Sequence, residues 1–162
     1  MRHGFGGRDD FSGICPIGEH CVSAESYAGD LSVQEAWKLL SDDDSAVLVD
    51  VRTRPEWSFV GIPDLAGLGR KPVFCEWQSF PTMQINGEFA AQLRGTGLGE
   101  NQPILFICRS GQRSKDAAIA MTKQGYTRCY NVAGGFEGPP DTERHRGKVG
   151  GWKAAGLPCI QE

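Results

Sequence analysis

The chain has 162 residues, of which 40% are hydrophobic and 23% charged, with a formal net charge of -3. That length holds one compact domain with a sizeable core and is short for two. The mild negative charge gives no electrostatic case for nucleic acid or an anionic membrane as partner, and no apolar run is long enough to cross a bilayer.

Residues 1–29 are rich in Gly and polar residues without sustained periodicity and are expected to form a flexible N-terminal arm. The start lacks the apolar segment of a signal peptide, so a cytoplasmic location is expected. Six cysteines, at 15, 21, 75, 108, 129 and 159, include no CxxC pair and are expected to be mostly reduced thiols. Cys15, His20 and Cys21 fall short of a zinc site, because three ligands in a Gly-rich arm lack a partner pair. No metal is expected.

Order is expected from Ser32, where Ser32-Val33-Gln34-Glu35 has the capping-box pattern and opens a helix through about Leu40. The run Ala46–Val51 reads as a strand buried on both faces, and Val73–Cys75 and Pro103–Ile107 look similar. Cys129–Val132 is a weaker fourth strand. Asn86 is placed to cap a helix through about Arg94, and an Ala-rich helix over 114–124 ends at Gly125, where a C-terminal glycine belongs. Strands alternating with helices predict an α/β domain with a mainly parallel sheet.

The chemistry concentrates in Cys108-Arg109-Ser110-Gly111-Gln112-Arg113-Ser114. A buried strand ends at a cysteine, a short glycine-containing loop follows, and a helix starts at once. Successive loop N–H groups form an anion-binding nest, the helix N-terminus adds partial positive charge, and Arg109 and Arg113 add full charges. All three favour the thiolate and are expected to lower its pKa from about 8.5 by one to several units. Asp50, closing a buried strand, needs a partner. It is expected to brace the Cys108 loop through backbone N–H groups or an arginine, with a local turn to Thr53 as the plainer reading. Arg52 and Glu56, four apart, have the spacing of a helical ion pair and are assigned to the scaffold before the site.

Cys-x-x-Gly-x-Arg-Ser after a strand resembles the active-site loop of the rhodanese family. Val49-Asp50-Val51-Arg52-Thr53-Arg54-Pro55-Glu56-Trp57 resembles that family's Asp-Val-Arg-x-x-x-Glu-Trp/Phe segment, and Gly61-Ile62-Pro63-Asp64 a shortened Gly-His-Ile-Pro-Gly-Ala. Asn131–Phe136 resembles its Leu-x-Gly-Gly signature, and Gly151–Pro158 its closing Trp-x-x-x-Gly-Leu-Pro. Together these pieces cover about 30 to 160. The resemblance implies a rhodanese-like domain over 30–162, its sheet flanked by helices on both faces, with no metal or organic cofactor.

It further implies a thiosulfate sulfurtransferase. Cys108 would take the outer sulfur of a small anionic donor such as thiosulfate as a persulfide, held by the N–H groups of Arg109 to Arg113, and pass it to cyanide, a thiol or an acceptor protein. Arg109 beside the nucleophile favours thiosulfate-like donors. Four residues separate Cys108 from Arg113, against five in cysteine phosphatases, which argues against phosphatase or arsenate reductase chemistry. A non-catalytic module that binds or senses persulfides is the alternative outside enzymes.

Two departures stand out. The His expected before Ile62-Pro63 is missing, and an inserted loop spans about 137–150. Arg144, His145, Arg146 and Lys148 of that loop form either a basic lid over the site or an exposed loop of mixed charge. Trp77 and Phe80 either shape a patch for an acceptor protein or fill the core. Cys129 and Cys159 either resolve the persulfide or pack.

Overall fold

A computed structural model describes residues 26–162. Its centre is a five-stranded, all-parallel sheet in the order β1 (Gly29–Leu31), β8 (Cys129–Val132), β7 (Ile104–Ile107), β2 (Val47–Asp50), β4 (Val73–Phe74). The central strands β2 and β7 are short, mainly apolar runs of four residues each. In β7 all four residues are buried. They divide by alternation. Ile104 and Phe106 join a core with Phe89, Leu93, Ala117 and Met121, whereas Leu105 and Ile107 join one with Val33, Leu40, Phe136 and Trp152. Helices therefore cover both faces, as expected.

Helix α1 (Val33–Asp42) starts at the expected box: Glu35 N–H donates to Ser32 Oγ at 3.1 Å and the Ser32 N–H to Glu35 Oε2 at 2.7 Å. It buries Val33, Ala36 and Leu40, one stripe of the helix. Helix α4 (Gln112–Lys123) buries Met121 and the small residues Ser114, Ala117 and Ala118, which let it lie close to the sheet. It follows β7 directly and so fixes the loop between them. The helix read from Asn86 begins later, as α3 (Phe89–Gly95), because Asn86 spends its Oδ1 on the N–H of Glu88 and forms a turn first.

Among the other elements, helix α2 (Arg54–Val60) directly follows β2 and opens on the capping-box pattern Thr53-x-x-Glu56 with Pro55 in its first turn, a sequence signal that was missed. Strands β3 (Ile62–Pro63) and β9 (Cys159–Ile160) pair antiparallel across nearly a hundred residues. The hairpin β5 (Gln78–Ser79) and β6 (Gln84–Ile85) has strands of two residues each. A short helix α5 (Gly151–Ala154) buries Trp152. Order also begins before Ser32, since β1 pairs with β8 and the Ala28 N–H donates to the Cys129 carbonyl. Residues 29 and before had been assigned to the arm. Of that arm, residues 1–25, with Cys15, His20 and Cys21, lie outside the described residues. Among the described residues no helix is long and apolar enough to cross a membrane.

Candidate active site

Cys108 stands at the carboxyl end of β7, where loops of a parallel sheet converge. Its side chain is 1% exposed. The sulfur accepts the Gly111 N–H at 3.1 Å and lies 3.1 Å from Ser114 Oγ. Gly111 caps α4, so the donor at the sulfur is the first free amide of a twelve-residue helix. Of the successive loop N–H groups expected to form a nest, that of Gly111 alone donates to the sulfur among the described residues. Arg109, Ser110 and Gln112 face outward and line an open cleft of about 640 Å³ above the loop.

The charges differ from expectation. Arg113 is turned to Glu56, in a two-pronged pair at 2.7 and 2.8 Å. Burial alone would raise the Glu56 carboxyl, but Arg113 and the Thr53 N–H and hydroxyl outweigh it and hold it at about 2. Arg113 is held fully charged in return, its pKa raised by Glu56. Much of its field is thus neutralised before it reaches the sulfur. Arg109 has no such partner among the described residues.

Arg52 and Glu56 do not pair. Thr53 is the N-cap of α2, so Arg52 precedes the helix and the helical spacing rule does not apply to it. Arg52 instead lies wholly buried, its guanidinium on both oxygens of Asp50 at 2.6 to 3.1 Å and on the Gly61 carbonyl at 2.8 Å. Its charge stacks 4.3 Å from the Phe136 ring centre. Asp50 therefore does not bind the Cys108 loop; its partner is Arg52.

The loop is braced by backbone instead. The Cys108 carbonyl accepts the Phe136 N–H at 2.7 Å, and the Arg109 carbonyl accepts those of Glu137 and Gly138 at 3.0 and 3.1 Å. Gly135 makes this approach feasible. At φ +65° it is left-handed, and a Cβ there would meet the Cys108 carbonyl oxygen at 2.5 Å. Backbone contacts of this kind leave no side-chain signature, which is why the sequence pointed to a carboxylate.

A polar chain runs from the surface at Asp30 to the buried Asn131 and Ser114 behind Cys108, and nothing in the sequence signals it. The Asp30 carboxylate accepts from the Tyr27 hydroxyl at 2.7 Å and from Asn131 Nδ2 at 2.9 Å. Hydrogen bonds from Tyr27 and Asn131 keep it below the usual carboxylate range, hence acceptor only. Asn131 must then aim Oδ1 at Ser114, whose hydroxyl donates to it at 2.6 Å. Facing a thiol, Ser114 Oγ is left to accept; facing a sulfur anion, its hydroxyl turns to donate.

With this geometry in view, the comparison with known proteins decides the family: the model of the rhodanese-like domain matches residues 32–138. The chain belongs to the rhodanese-like family. A crystal structure of a Mycobacterium tuberculosis protein superposes with a TM-score of 0.77 at 48% identity, covering 85% of this chain and all of that one. An uncharacterized Rickettsia conorii protein is 39% identical over 125 residues, 76% of this chain and 90% of the relative. The thiosulfate sulfurtransferase GlpE of Actinobacillus pleuropneumoniae is 25% identical over 129 residues, 80% of this chain and 90% of that one.

Within the rhodanese-like fold the remaining candidates separate. Trp77 packs edge-on to Phe89, 5.1 Å between ring centres, and belongs to the core. Phe80 is 58% exposed and lines the cleft with Met83. Cys129 is fully buried, its thiol pushed up to about 11 by desolvation, so it is packing and not a second nucleophile. Cys159 is exposed on β9. Of the basic residues in the insertion, Arg146 alone lines the cleft, while His145 and Lys148 face Asp141 at 3.9 Å.

Proposed function

We propose that this protein is a sulfurtransferase that moves sulfane sulfur from a thiosulfate-like donor to a thiol or cyanide through a Cys108 persulfide. The observation that carries the reading is the seat of Cys108: a sulfur at a helix N-terminus, with one amide and one hydroxyl 3.1 Å away. The family includes sulfurtransferases, and GlpE bears that name.

The Cys108 thiolate attacks the outer sulfur of thiosulfate. A sulfur–sulfur bond forms at Cys108, the bond to the sulfonate sulfur breaks, and sulfite leaves with the electron pair. The Gly111 N–H and the turned Ser114 hydroxyl face the sulfur anion on Cys108. Cyanide or a thiolate then attacks the terminal sulfur and returns Cys108 as thiolate. No redox partner is needed in either half. A cytoplasmic setting, with its reduced thiols, suits such a cysteine.

The test is thiocyanate formation from thiosulfate and cyanide, run beside Cys108→Ser, with the mass of the protein after thiosulfate alone. Turnover in wild type only, and a gain of about 32 Da lost in the variant, is expected. No gain of sulfur from thiosulfate or any other persulfide donor would overturn the reading in favour of a non-catalytic module.

A further inference from the structure

The cleft bordered by Arg109, Ser110, Gln112 and Arg113 of the loop that follows Cys108 is much larger than an inorganic donor requires. Its volume of about 640 Å³ lies in the range that holds ligands of drug size. Its two sides differ in character. The hairpin β5–β6 contributes Phe80 and Met83, 58% and 39% exposed, an apolar stretch of the lining. The facing wall is the catalytic loop and the insertion, with Arg109 and Arg146.

Arg146 is held close to the loop by a short chain of bonds. The Gly138 N–H donates to the Arg109 carbonyl at 3.1 Å, and Arg146 Nη1 donates to the Gly138 carbonyl at 2.7 Å. A single residue, Gly138, therefore bridges the Arg146 guanidinium and the Arg109 backbone. The insertion that bears Arg146 is closed at its base by glycine: a Cβ on Gly138, at φ +69°, would meet the Gly150 carbonyl oxygen at 2.3 Å. Inside it, Asp141 Oδ1 accepts the N–H groups of Glu143 and His145. The loop is built around its own hydrogen bonds, not draped over solvent.

Among the described residues neither Arg109 nor Arg146 has a carboxylate within ion-pair distance, whereas Arg113 is committed to Glu56. Glu137, the unpaired acid on this wall, leaves cation in surplus and complements an ammonium group.

From this we infer that Arg146, acting with Arg109, is a specificity-determining residue that binds the carboxylate of an amino-acid-type organic persulfide or thiol, whose carbon chain lies on Phe80 and Met83. The inference rests on the sulfurtransferase reading and names its larger substrate. In the loading step the Cys108 thiolate attacks the terminal sulfur of R–S–SH. The new bond joins that sulfur, with its proton, to Cys108, and the organic thiolate leaves with the electron pair. Unloading is the reverse. Arg146 binds the end of the substrate remote from this exchange, so its effect falls on KM more than on kcat.

The experiment follows sulfur loading of the full chain from glutathione persulfide, which carries carboxylates and an ammonium, and from 2-mercaptoethanol persulfide, which carries neither. Thiosulfate is run in parallel. Wild type is expected to prefer glutathione persulfide in kcat/KM, and Arg146→Ala to cut that preference by about tenfold through KM, the worth of one charge-assisted contact. Arg146→Lys, which keeps the charge, retains most of it. Arg144→Asn, on the same loop but exposed and at φ +67°, leaves the preference intact. Equal use of the two persulfides by wild type, or an unchanged preference in Arg146→Ala, overturns the inference and leaves the sulfurtransferase reading standing. Failure to load from all three donors removes both.

Discussion

Two arginine–carboxylate pairs, their acids six residues apart at Asp50 and Glu56, do different work. Asp50–Arg52 is sealed, with both side chains 0% exposed, while Glu56–Arg113 keeps 19% and 16% of its side chains exposed at the edge of the cleft. The sealed pair joins elements: the end of β2, the Gly61 carbonyl and the Phe136 ring. The open pair ties α2 to the first turn of α4 and removes a positive charge from the surroundings of Cys108. Burial decides which job each pair has. A charge with no route to water must be matched completely, whereas one at the rim is free to tune what its neighbours meet.

The contrast is broken most sharply at Arg52. Arg52→Met leaves the Asp50 carboxylate buried and alone, and is expected to cost about 3–5 kcal/mol in urea unfolding. Replacing both members, Asp50→Leu with Arg52→Met, is expected to recover part of that loss. A double variant no more stable than the single one would mean that the pair holds the fold by more than mutual neutralisation.

The open pair is expected to show itself in acid. Its carboxyl is held at about 2, below the ordinary 4.5 of the unfolded chain. The stabilisation is therefore complete above about pH 5 and drains away as pH falls from 4.5 towards 2, by about 3 kcal/mol in all. Glu56→Gln should flatten this limb of a stability–pH curve and cost about 1.5–3 kcal/mol at neutral pH. The same change frees Arg113, so the KM for thiosulfate is expected to fall by roughly two- to fivefold. Smallest is Thr53→Val, which removes the hydroxyl bond to Glu56 Oε2 and should cost about 0.5–1.5 kcal/mol in the same unfolding assay.

What the sequence made legible follows from periodicity and from local chemistry. Four of the five sheet strands were visible as apolar runs, the exception being β1 (Gly-Asp-Leu); α1 was visible through its capping box, and α4 through its alanines and Gly125. The nucleophile was visible because strand, cysteine, glycine and helix start are contiguous. The illegible parts depend on separation or on backbone. Strands β3 and β9 meet across the length of the domain, and β5 and β6 are too short to alternate. The brace of the Cys108 loop is three main-chain bonds from Phe136, Glu137 and Gly138, which any side chain would permit except where glycine is required. The role of Asn131 left no local signal because its partners Asp30 and Ser114 lie 101 and 17 residues away along the chain. Arg52 misled because the i, i+4 rule presumes a helix that starts only after it.

The glycine closure at Gly138 and Gly150 also bears on how such a domain diversifies. A loop whose two ends already touch transmits little of its content to the framework, so residues 139–149 form a cassette that can be lengthened, shortened or exchanged while β7, α4 and the Gly135 turn stay in place. On the proposed function, selectivity and catalysis are thereby expected to sit on separately editable segments. A graft of a different 139–149 sequence between these glycines should yield a sulfur-carrying domain with the same nucleophile and a new clientele.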